Sequence, residues 1–452
     1  MRVPPGFIGV LFFFGVLASP AGAAEDFSDG GGVVLSLEDA VERALRHSIE
    51  LQKSRITLEG EEYSSRRLWA ELFPSVNASG GLSLGSVPLF TGTGEDRRIG
   101  KENIGYSVSA GLSLNLSAGI PYRMRLLSLA YQRQLLSYEE LRRLLEVDTA
   151  RSFYDLVAER EGLAQLVDTL NLAERQLERH RIGRANGLIS EAAVLQSRLA
   201  VESARYGLSS AQAAYSNGLG VFLSTLGLSP ETPARLEGEF NTRRLDLDPE
   251  KLIRDYLPGR PDIAQQRRAI EGLVLTERQA VLGGRAPSLD LSFNWQGGPG
   301  GNRALSNPFA DNISGSVTLR VPINPWIPGT RESQALRNAG SNVEKARLDL
   351  KSLEDAAAAQ IRSLTANLHN SWESLEIARL REEIARRSYD YSEQGFLNGS
   401  VEALALENSR NNLAEARYQL LRGELAYQKL VLNLAQAINV DWRQFTGGIE
   451  HP

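Results

Sequence analysis

Hydrolytic chemistry requires a nucleophile, a base and an orienting group that converge in the fold, and histidine is the residue that most often serves as the base. The chain has four histidines, His47, His180, His369 and His451. None of the four lies in a segment with the periodicity of a β-strand. Cysteine is absent, which excludes thiol catalysis, disulfides and thiolate metal sites. The sequence also lacks a specific phosphate-binding glycine loop and any paired metal-ligand spacing. We therefore expect a protein that is not an enzyme, with no cofactor and no metal site.

The N-terminus has the pattern of an export signal. A single cation, Arg2, precedes an apolar run from Phe7 to Ala18, and small residues follow. This run is shorter than the roughly 20 residues of a spanning helix, which disfavours the alternative of a membrane anchor. We interpret residues 1–23 as a signal peptide. Its removal takes the formal net charge from −5 to −6, and without a basic face no nucleic-acid partner is expected.

The chain resembles itself at an offset of 212 residues. The best-matched stretch surrounds two Asn-Gly pairs, because Asn186 and Gly187 fall on Asn398 and Gly399. Chance alignment of Ala- and Leu-rich helices is the alternative, but it would not also align caps and strand entries. We predict a first repeat over 24–230, a linker over 231–246, a second repeat over 247–440 and a C-terminal tail over 441–452.

Alternation with a period of two predicts four strands. From Tyr106 to Ser117 apolar side chains occupy every even position up to 116, and small polar ones lie between them. Three other segments alternate in the same way: Val76 to Leu84, Leu289 to Trp295 and Ile313 to Val321. They form two predicted β-hairpins, over about residues 74–117 and 287–321. About ten residues at about 3.3 Å each, when tilted, cover the roughly 25 Å apolar band of an outer-membrane barrel.

A half-buried sheet of a soluble protein would alternate identically. A membrane barrel is favoured because the polar face is mostly Ser, Asn, Thr and Gly, which suits a lumen, and because Tyr122, Trp295 and Trp326 lie at or near strand ends. Four strands cannot close on themselves, and an open edge in lipid leaves backbone groups unpaired. Two copies would give eight strands, which side chains fill, whereas three copies give twelve and leave a passage. A homotrimer is the smallest conducting arrangement.

Two long helical hairpins are predicted over about 122–229 and 331–440. No proline interrupts either stretch, and both are filled with strong helix formers. A turn that contains glycine divides each stretch, at 183–187 and at 395–399. The first arm would extend roughly 90 Å at about 1.5 Å per residue, and its apolar spacings of three and four suit coiled-coil packing. Such helices serve as struts rather than as the core of a globular domain.

Taken together, these features resemble the TolC-like outer membrane efflux factors, and the resemblance covers nearly all of the mature chain. It rests on five stretches: LSLEDAVERALRHSIELQKSR, LFPSVNASGGLSL, GRANGLISEAAVLQSRLAVESA, RPDIAQQRRAI and GFLNGSVEALALENSRNNLAEARY. The resemblance implies an α+β membrane protein in which a trimeric, 12-stranded β-barrel continues into a periplasmic α-barrel. It also implies a place in the outer membrane of a Gram-negative bacterium, in contact with its lipid, and partnership with a periplasmic adaptor and an inner-membrane pump.

The resemblance also assigns roles to the two glycine turns, which in the family lie at the periplasmic tip and meet the adaptor. Carried over to this chain, the contact residues are Gly187, Leu188, Ile189, Ser190, Gly395 and Gly399. The same glycines would be needed simply to make the turns.

The pore constriction departs from the family pattern. Positions where some relatives place pore-facing aspartates are here Ala193, Ala405 and Asn408, and the latching Tyr and Arg align with Phe396 and Val401. Three nearby acids could replace the aspartate ring, because threefold symmetry would bring like charges together: Glu191, Glu402 and Glu407. The alternative is that these glutamates are solvated helix surface.

The leading hypothesis is a passive exit channel whose energy comes from its partners. A periplasmic adaptor would also have long helical hairpins, but usually one, and it would not duplicate a strand pair suited to a lumen. A barrel lipid hydrolase is disfavoured because the catalytic constellation is missing, and a simple porin would not need long helical arms.

Overall fold

The computed structural model describes residues 33–85, 90–91, 98–99, 103–238, 240, 242–299 and 309–446. The predicted signal peptide lies outside these residues. The first half runs β1 (Val33–Ser36), α1 (Leu37–His47), α2 (Ile49–Arg66), β2 (Ser75–Gly85), β3 (Phe90–Thr91), β4 (Arg98–Ile99), β5 (Asn103–Leu116), α3 (Ile120–Ala185) and α4 (Glu191–Thr225). The second half runs β6 (Ala234–Glu237), α5 (Pro249–Tyr256), α6 (Pro261–Arg285), β7 (Ser288–Pro299), β8 (Phe309–Arg320), α7 (Arg331–Leu397), α8 (Ala403–Ile438) and α9 (Arg443–Thr446). Short 3-10 turns cover Leu68–Leu72, Leu257–Gly259 and Asn324–Trp326.

Local capping signals explain where the helices begin. Ser36 accepts a hydrogen bond from the backbone N–H of Asp39, while the Asp39 carboxylate accepts one from the Ser36 backbone, which is a complete capping box. The Ser36 hydroxyl also donates to Asp39 Oδ2 at 2.6 Å, and this hydrogen bond, with the one from the Ser36 backbone, holds the pKa of Asp39 below its usual value. Asp248 caps α5 ahead of Pro249, and Thr330 caps α7. Of the helices that the structure describes, none is long and apolar enough to cross a membrane.

Two helices set the length of the molecule. Helix α3 has 66 residues and α7 has 67, so each is about 100 Å long at about 1.5 Å per residue. Each returns through a short turn into an antiparallel partner, α4 or α8.

The larger sheet has the strand order β2-β5-β7-β8, and all of its pairs are antiparallel. Its strands coincide with the four alternating segments of the sequence. Because β5 pairs with β7, the two hairpins form one continuous sheet. Among the described residues, the outer edges of β2 and β8 have no partner strand.

A second, smaller pairing was not foreseen. Strand β1 pairs in parallel with β6, and Val33 lies opposite Ala234. Strand β6 falls inside the segment 231–246 that the sequence predicts to be a linker, so this segment is partly ordered by a partner at the start of the chain. The pairing joins the beginnings of the two halves.

The hydrophobic core lies where α1, α3, α4, α7, α8 and the β1-β6 pair meet, and we call this region the belt. Its fully buried side chains include Leu35, Phe153, Leu223, Leu236 and Leu432. Burying one such side chain stabilises the fold by about 1.5–3 kcal/mol.

The C-terminal segment belongs to the belt as well. Trp442 and Phe445 are buried there, beside and within α9. The end of α8 is held by two arginines, since Arg143 donates to the carbonyl of Asn439 and Arg260 to that of Ala437. Residues 441–446, the start of the predicted C-terminal tail, are thus anchored on the belt by two aromatic side chains.

Candidate functional site

The four-stranded sheet has one polar and one apolar face. The register places polar positions opposite each other throughout, for example Ser113 between Ser75 and Ser292. Serine hydroxyls on this face bond across the strands: Ser75 to Ser113 at 2.6 Å, Ser79 to Ser109 at 2.7 Å and Ser292 to Ser316 at 2.7 Å. The wall is therefore wettable, and its hydroxyls already satisfy one another.

The apolar face is uncovered in a single chain. Leu82 in β2 is 83% exposed and Val317 in β8 is 73% exposed, although both lie within regular strands. Large apolar patches of this kind on a soluble protein mark an interface or a membrane contact. A sheet that is polar on one side, apolar on the other and, within the described residues, open at both edges has the properties expected of a segment of a membrane barrel wall.

Aromatic side chains lie at the end of the sheet that adjoins the helices. Trp69 and Phe73 pack edge to face at 5.9 Å between centroids, just before β2. Trp326, just after β8, is largely exposed and carries the Arg285 guanidinium over its ring at 5.0 Å. Paired aromatic and cationic groups of this kind suit the membrane–water interface.

The two helical turns at the far end of the molecule, which we call the tips, have the same hydrogen bonds. At the first tip the Leu188 N–H donates to the Gly183 carbonyl at 2.8 Å, and at the second the Ser400 N–H donates to the Gly395 carbonyl at 2.8 Å. Gly187 and Gly399 both have a φ of 73°. This is the left-handed end of a helix, which strongly favours glycine.

A second glycine at each tip serves close packing. A Cβ added to Gly183 would lie 2.5 Å from Ile189 Cγ1, and one added to Gly395 would lie 2.5 Å from Val401 Cγ2. Ile189 and Val401 thus fold back on the preceding helix, while Leu188 projects outward and is 80% exposed. Leu397, on the second tip, is 78% exposed; the sequence interpretation did not single it out, although its apolar type next to a glycine turn was a usable signal.

Helix α4 starts at a well-formed cap, because the Ser190 side chain accepts from the Ala193 N–H at 3.3 Å. Its counterpart, Glu402, precedes α8 without a side-chain cap. Ser190 therefore has a structural task at the tip beside any role in contact with a partner.

The three candidate constriction acids lie in different surroundings. Glu191 pairs with Arg184 at 3.2 Å on the first tip. Glu407 pairs with Arg179 at 2.8 Å, and its side chain is only 10% exposed within one chain. Glu402 is exposed and forms no ion pair with another described residue. Ala193 and Ala405 lie in the first turns of α4 and α8, and Asn408 lies in the second turn of α8.

Polar contacts tie the two hairpins together along α3 and α8. Asp155 pairs with Lys429 at 2.5 Å near the belt, the Gln165 amide donates to the Ala414 carbonyl farther out, and Arg179 pairs with Glu407 near the tips. The Arg179–Glu407 pair is the outermost of these three contacts. It fixes the rotation of α8 relative to α3 next to the tips.

Chemical sites of other kinds have no support in the described part of the chain, where no three His, Asp or Glu side chains are grouped for a metal ion. His180 Nδ1 shares a hydrogen bond with Ser197 Oγ at 2.6 Å, and Ser197 also donates to the Ala193 carbonyl. This serine is buried between α3 and α4 and is part of the packing of the first hairpin.

An amphipathic four-stranded sheet continuous with two long helical hairpins is the architecture of an outer-membrane channel protein. The model of the family described as outer membrane efflux protein matches residues 40–219 and 252–440, and the chain belongs to this family. The resemblance to the TolC-like efflux factors is thereby confirmed.

Two curated relatives agree with this assignment. The chain is 26% identical to the protein CyaE of Bordetella pertussis over 332 residues. This match covers 72% of this chain and 67% of CyaE. It is 25% identical to the probable efflux pump outer membrane protein TtgC of Pseudomonas putida over 434 residues. This match covers 91% of this chain and 84% of TtgC.

Solved structures share the fold. The CmeC outer membrane channel of Campylobacter jejuni has a TM-score of 0.67 at 18% identity, over 89% of this chain and 85% of CmeC. The MtrE outer membrane channel of Neisseria gonorrhoeae, in its open state, has a TM-score of 0.63 at 16% identity, over 89% of both chains. The predicted fold class, a long helical body that continues into a β-barrel sheet, is confirmed.

The family places the protein in the outer membrane of a Gram-negative bacterium, with its helical body in the periplasm. Its members are channels of tripartite efflux systems.

Proposed function

We propose that three copies of this chain form one channel that conducts substrates passively across the periplasm and the outer membrane. The observation that carries the proposal is the sheet with two unpaired edges and an exposed apolar face. In lipid, each edge needs a partner, and β8 of one copy can pair with β2 of the next. Twelve strands spaced about 4.8 Å apart and tilted about 40° give a circumference of about 75 Å and a radius of about 12 Å.

The channel itself has no energy source in this proposal. An inner-membrane pump delivers the substrate, and a periplasmic adaptor joins the pump to the helical end of the channel. The length of α3 and α7, about 100 Å, supports this arrangement, since it lets the helical body reach far into the periplasm.

The tips are the proposed contact with the adaptor. Leu188 and Leu397 are exposed apolar side chains at the ends of rigid turns, and such anchors contribute most of the energy at many interfaces. The glycine turns position them, and Ile189 and Ser190 fix the start of the returning helix. The proposed contact surface consists of Gly187, Leu188, Ile189, Ser190, Gly395, Leu397 and Gly399.

The constriction is proposed at the same end. Glu402 is its best candidate acid, because Glu191 and Glu407 already have arginine partners within the chain. In a trimer three copies of Glu402 would repel one another across a narrow passage and weaken closure at neutral pH. Ala193, Ala405 and Asn408 would leave the rest of this ring uncharged.

The two halves are proposed to be copies of one ancestral unit. The paired hydrogen bonds and equal φ values at the tips, 212 residues apart, support the duplication over residues 24–230 and 247–440. Six similar hairpins would then surround the axis of a trimer.

The first test is the mass of the undenatured protein, purified from detergent-solubilised outer membranes and corrected for bound detergent. We expect the mass of three chains. A monomeric mass would contradict the shared barrel, because a single sheet cannot satisfy its own edges in lipid.

The adaptor contact is tested with Leu188→Asp and Leu397→Asp, which place a charge on each tip. The matched control is Leu348→Asp, because Leu348 is similarly exposed but lies early in α7, far from the tips. With a trimeric mass retained in all variants, we expect the tip substitutions to abolish copurification of the adaptor and the control to leave it intact. Equal copurification by all three would contradict the assignment of the contact surface to the tips.

A further inference from the structure

The polar face of the sheet carries very little charge. Its positions in β2 and β5 are Ser, Asn and Gly, and in β7 and β8 they are mostly Ser, Asn, Gln and Thr. Within these four strands, the polar face holds one acid, Asp290, and one base, Arg320. Asp311 points to the opposite, apolar face of the sheet, where its carboxylate accepts a hydrogen bond from Trp295 Nε1 at 3.5 Å.

The two charges lie together at the end of the sheet next to the helices. Asp290 is the third residue of β7 and Arg320 is the last residue of β8. Arg320 Nε is 3.6 Å from Asp290 Oδ2, and Asn115 Nδ2 on the neighbouring strand donates to Asp290 Oδ1. The acid is therefore held in a row that crosses β5, β7 and β8.

We propose that the Asp290–Arg320 pair makes the entrance of the barrel indifferent to the sign of the charge on its cargo. The inference rests on the proposed trimeric channel, in which three such pairs form a ring around the lumen. Each pair is neutral as a whole, and the rest of the polar face of β2, β5, β7 and β8 adds no charge. The barrel section therefore accepts anionic, cationic and neutral solutes alike.

Removal of one partner would turn this neutral ring into a charged one. Three unit charges about 10 Å from the axis, in water and at a Debye length of about 8 Å, enrich the counter-ion over the co-ion roughly threefold. At a salt concentration of about 0.01 M, where the Debye length is about 30 Å, the same ring gives roughly a twentyfold ratio.

The test measures reversal potentials of single channels in planar bilayers under a salt gradient. Asp290→Asn exposes three Arg320 cations, and we expect the ratio of chloride to potassium permeability to rise about threefold over that of the unmodified channel near 0.15 M salt. Arg320→Gln exposes three carboxylates and shifts the ratio equally in the opposite direction. The double variant restores the unmodified ratio, because it is neutral again.

The double variant is the matched control for changes in barrel shape, and the undenatured mass shows whether each variant assembles. Equal permeability ratios in all four proteins would overturn the inference, as would two single variants that shift in the same direction. Failure of the proposed function has another signature, since an unmodified protein that is monomeric and forms no discrete channels would contradict the trimeric barrel itself.

Discussion

Breaking the Arg179–Glu407 pair should loosen the second hairpin from the first. The Nη2–Oε2 distance is 2.8 Å, the Glu407 side chain is 10% exposed and the Arg179 side chain is 49% exposed. Two unit charges about 4 Å apart at an effective dielectric constant of about 20 attract each other by about 4 kcal/mol. Because Arg179 is half in water, we reduce the net coupling to about 1–2 kcal/mol. That corresponds to roughly a 5- to 30-fold change in the equilibrium between joined and separated hairpins.

The unequal exposure of the two side chains predicts unequal effects. Arg179→Gln leaves the Glu407 carboxylate nearly buried without its counter-ion, whereas Glu407→Gln leaves an arginine that can reach solvent. Arg179→Gln should therefore be the more damaging change, and the double variant should be no worse than Arg179→Gln alone.

The assay is backbone hydrogen exchange, followed by mass spectrometry, over the first turns of α8. We expect exchange to accelerate about tenfold in Arg179→Gln and a few-fold in Glu407→Gln. The matched control is Arg387→Gln, which removes an arginine from an exposed pair with Glu383 within α7 and should change exchange less than twofold. The reasoning fails if Arg179→Gln exchanges like the unmodified protein, or if Glu407→Gln is the more damaging of the two.

Three further predictions concern stability. Gly187→Ala should destabilise the first tip by about 1–2 kcal/mol, seen as faster exchange there, because its φ is 73°, whereas Gly162→Ala in open space on α3 should not destabilise the protein. Tyr427→Phe should lower the stability measured by urea unfolding by about 1 kcal/mol, because its hydroxyl donates to the Arg243 carbonyl at 2.6 Å; an unchanged midpoint would contradict this. Burial raises the pKa of Glu424, against the opposing charge of Arg379, so the ionised carboxylate is disfavoured in the folded state. Glu424→Gln should therefore raise the thermal midpoint at pH 7, and this gain should shrink as the pH falls below the raised pKa of Glu424 and vanish below the ordinary value of a carboxyl group.

The strands and the tips could be predicted because both are local properties. A period of two fixes which side chains share a face, and a glycine after a long helix indicates a left-handed residue, as Gly187 and Gly399 show. The same reasoning could not find the β1-β6 pair, because a four-residue strand carries little period and its partner lies far along the chain.

The surroundings of the three candidate constriction acids could not be predicted from the sequence either. Whether Glu407 faces a lumen or a neighbouring helix depends on how α8 is rotated about its axis, which only packing decides. The burial of Trp442 and Phe445 could not be predicted from the sequence either, since two apolar residues in a short segment have no periodicity to indicate a buried face.

The location of the belt has a mechanical consequence for the tips. In α3 the buried side chains concentrate between Val147 and Val157, and among the residues closer to the turn Leu177 alone is buried within one chain. The first hairpin is thus a beam clamped at the belt, with a length of roughly 45 Å from Val157 to Gly187, and the Arg179–Glu407 pair makes it move together with α8 near the tips. A tilt of about 5° at the clamp displaces the free end by about 4 Å over that length. Small angular changes at the belt are therefore amplified by leverage, and in the proposed trimer the aperture at the tips would widen or narrow while every helix remains intact.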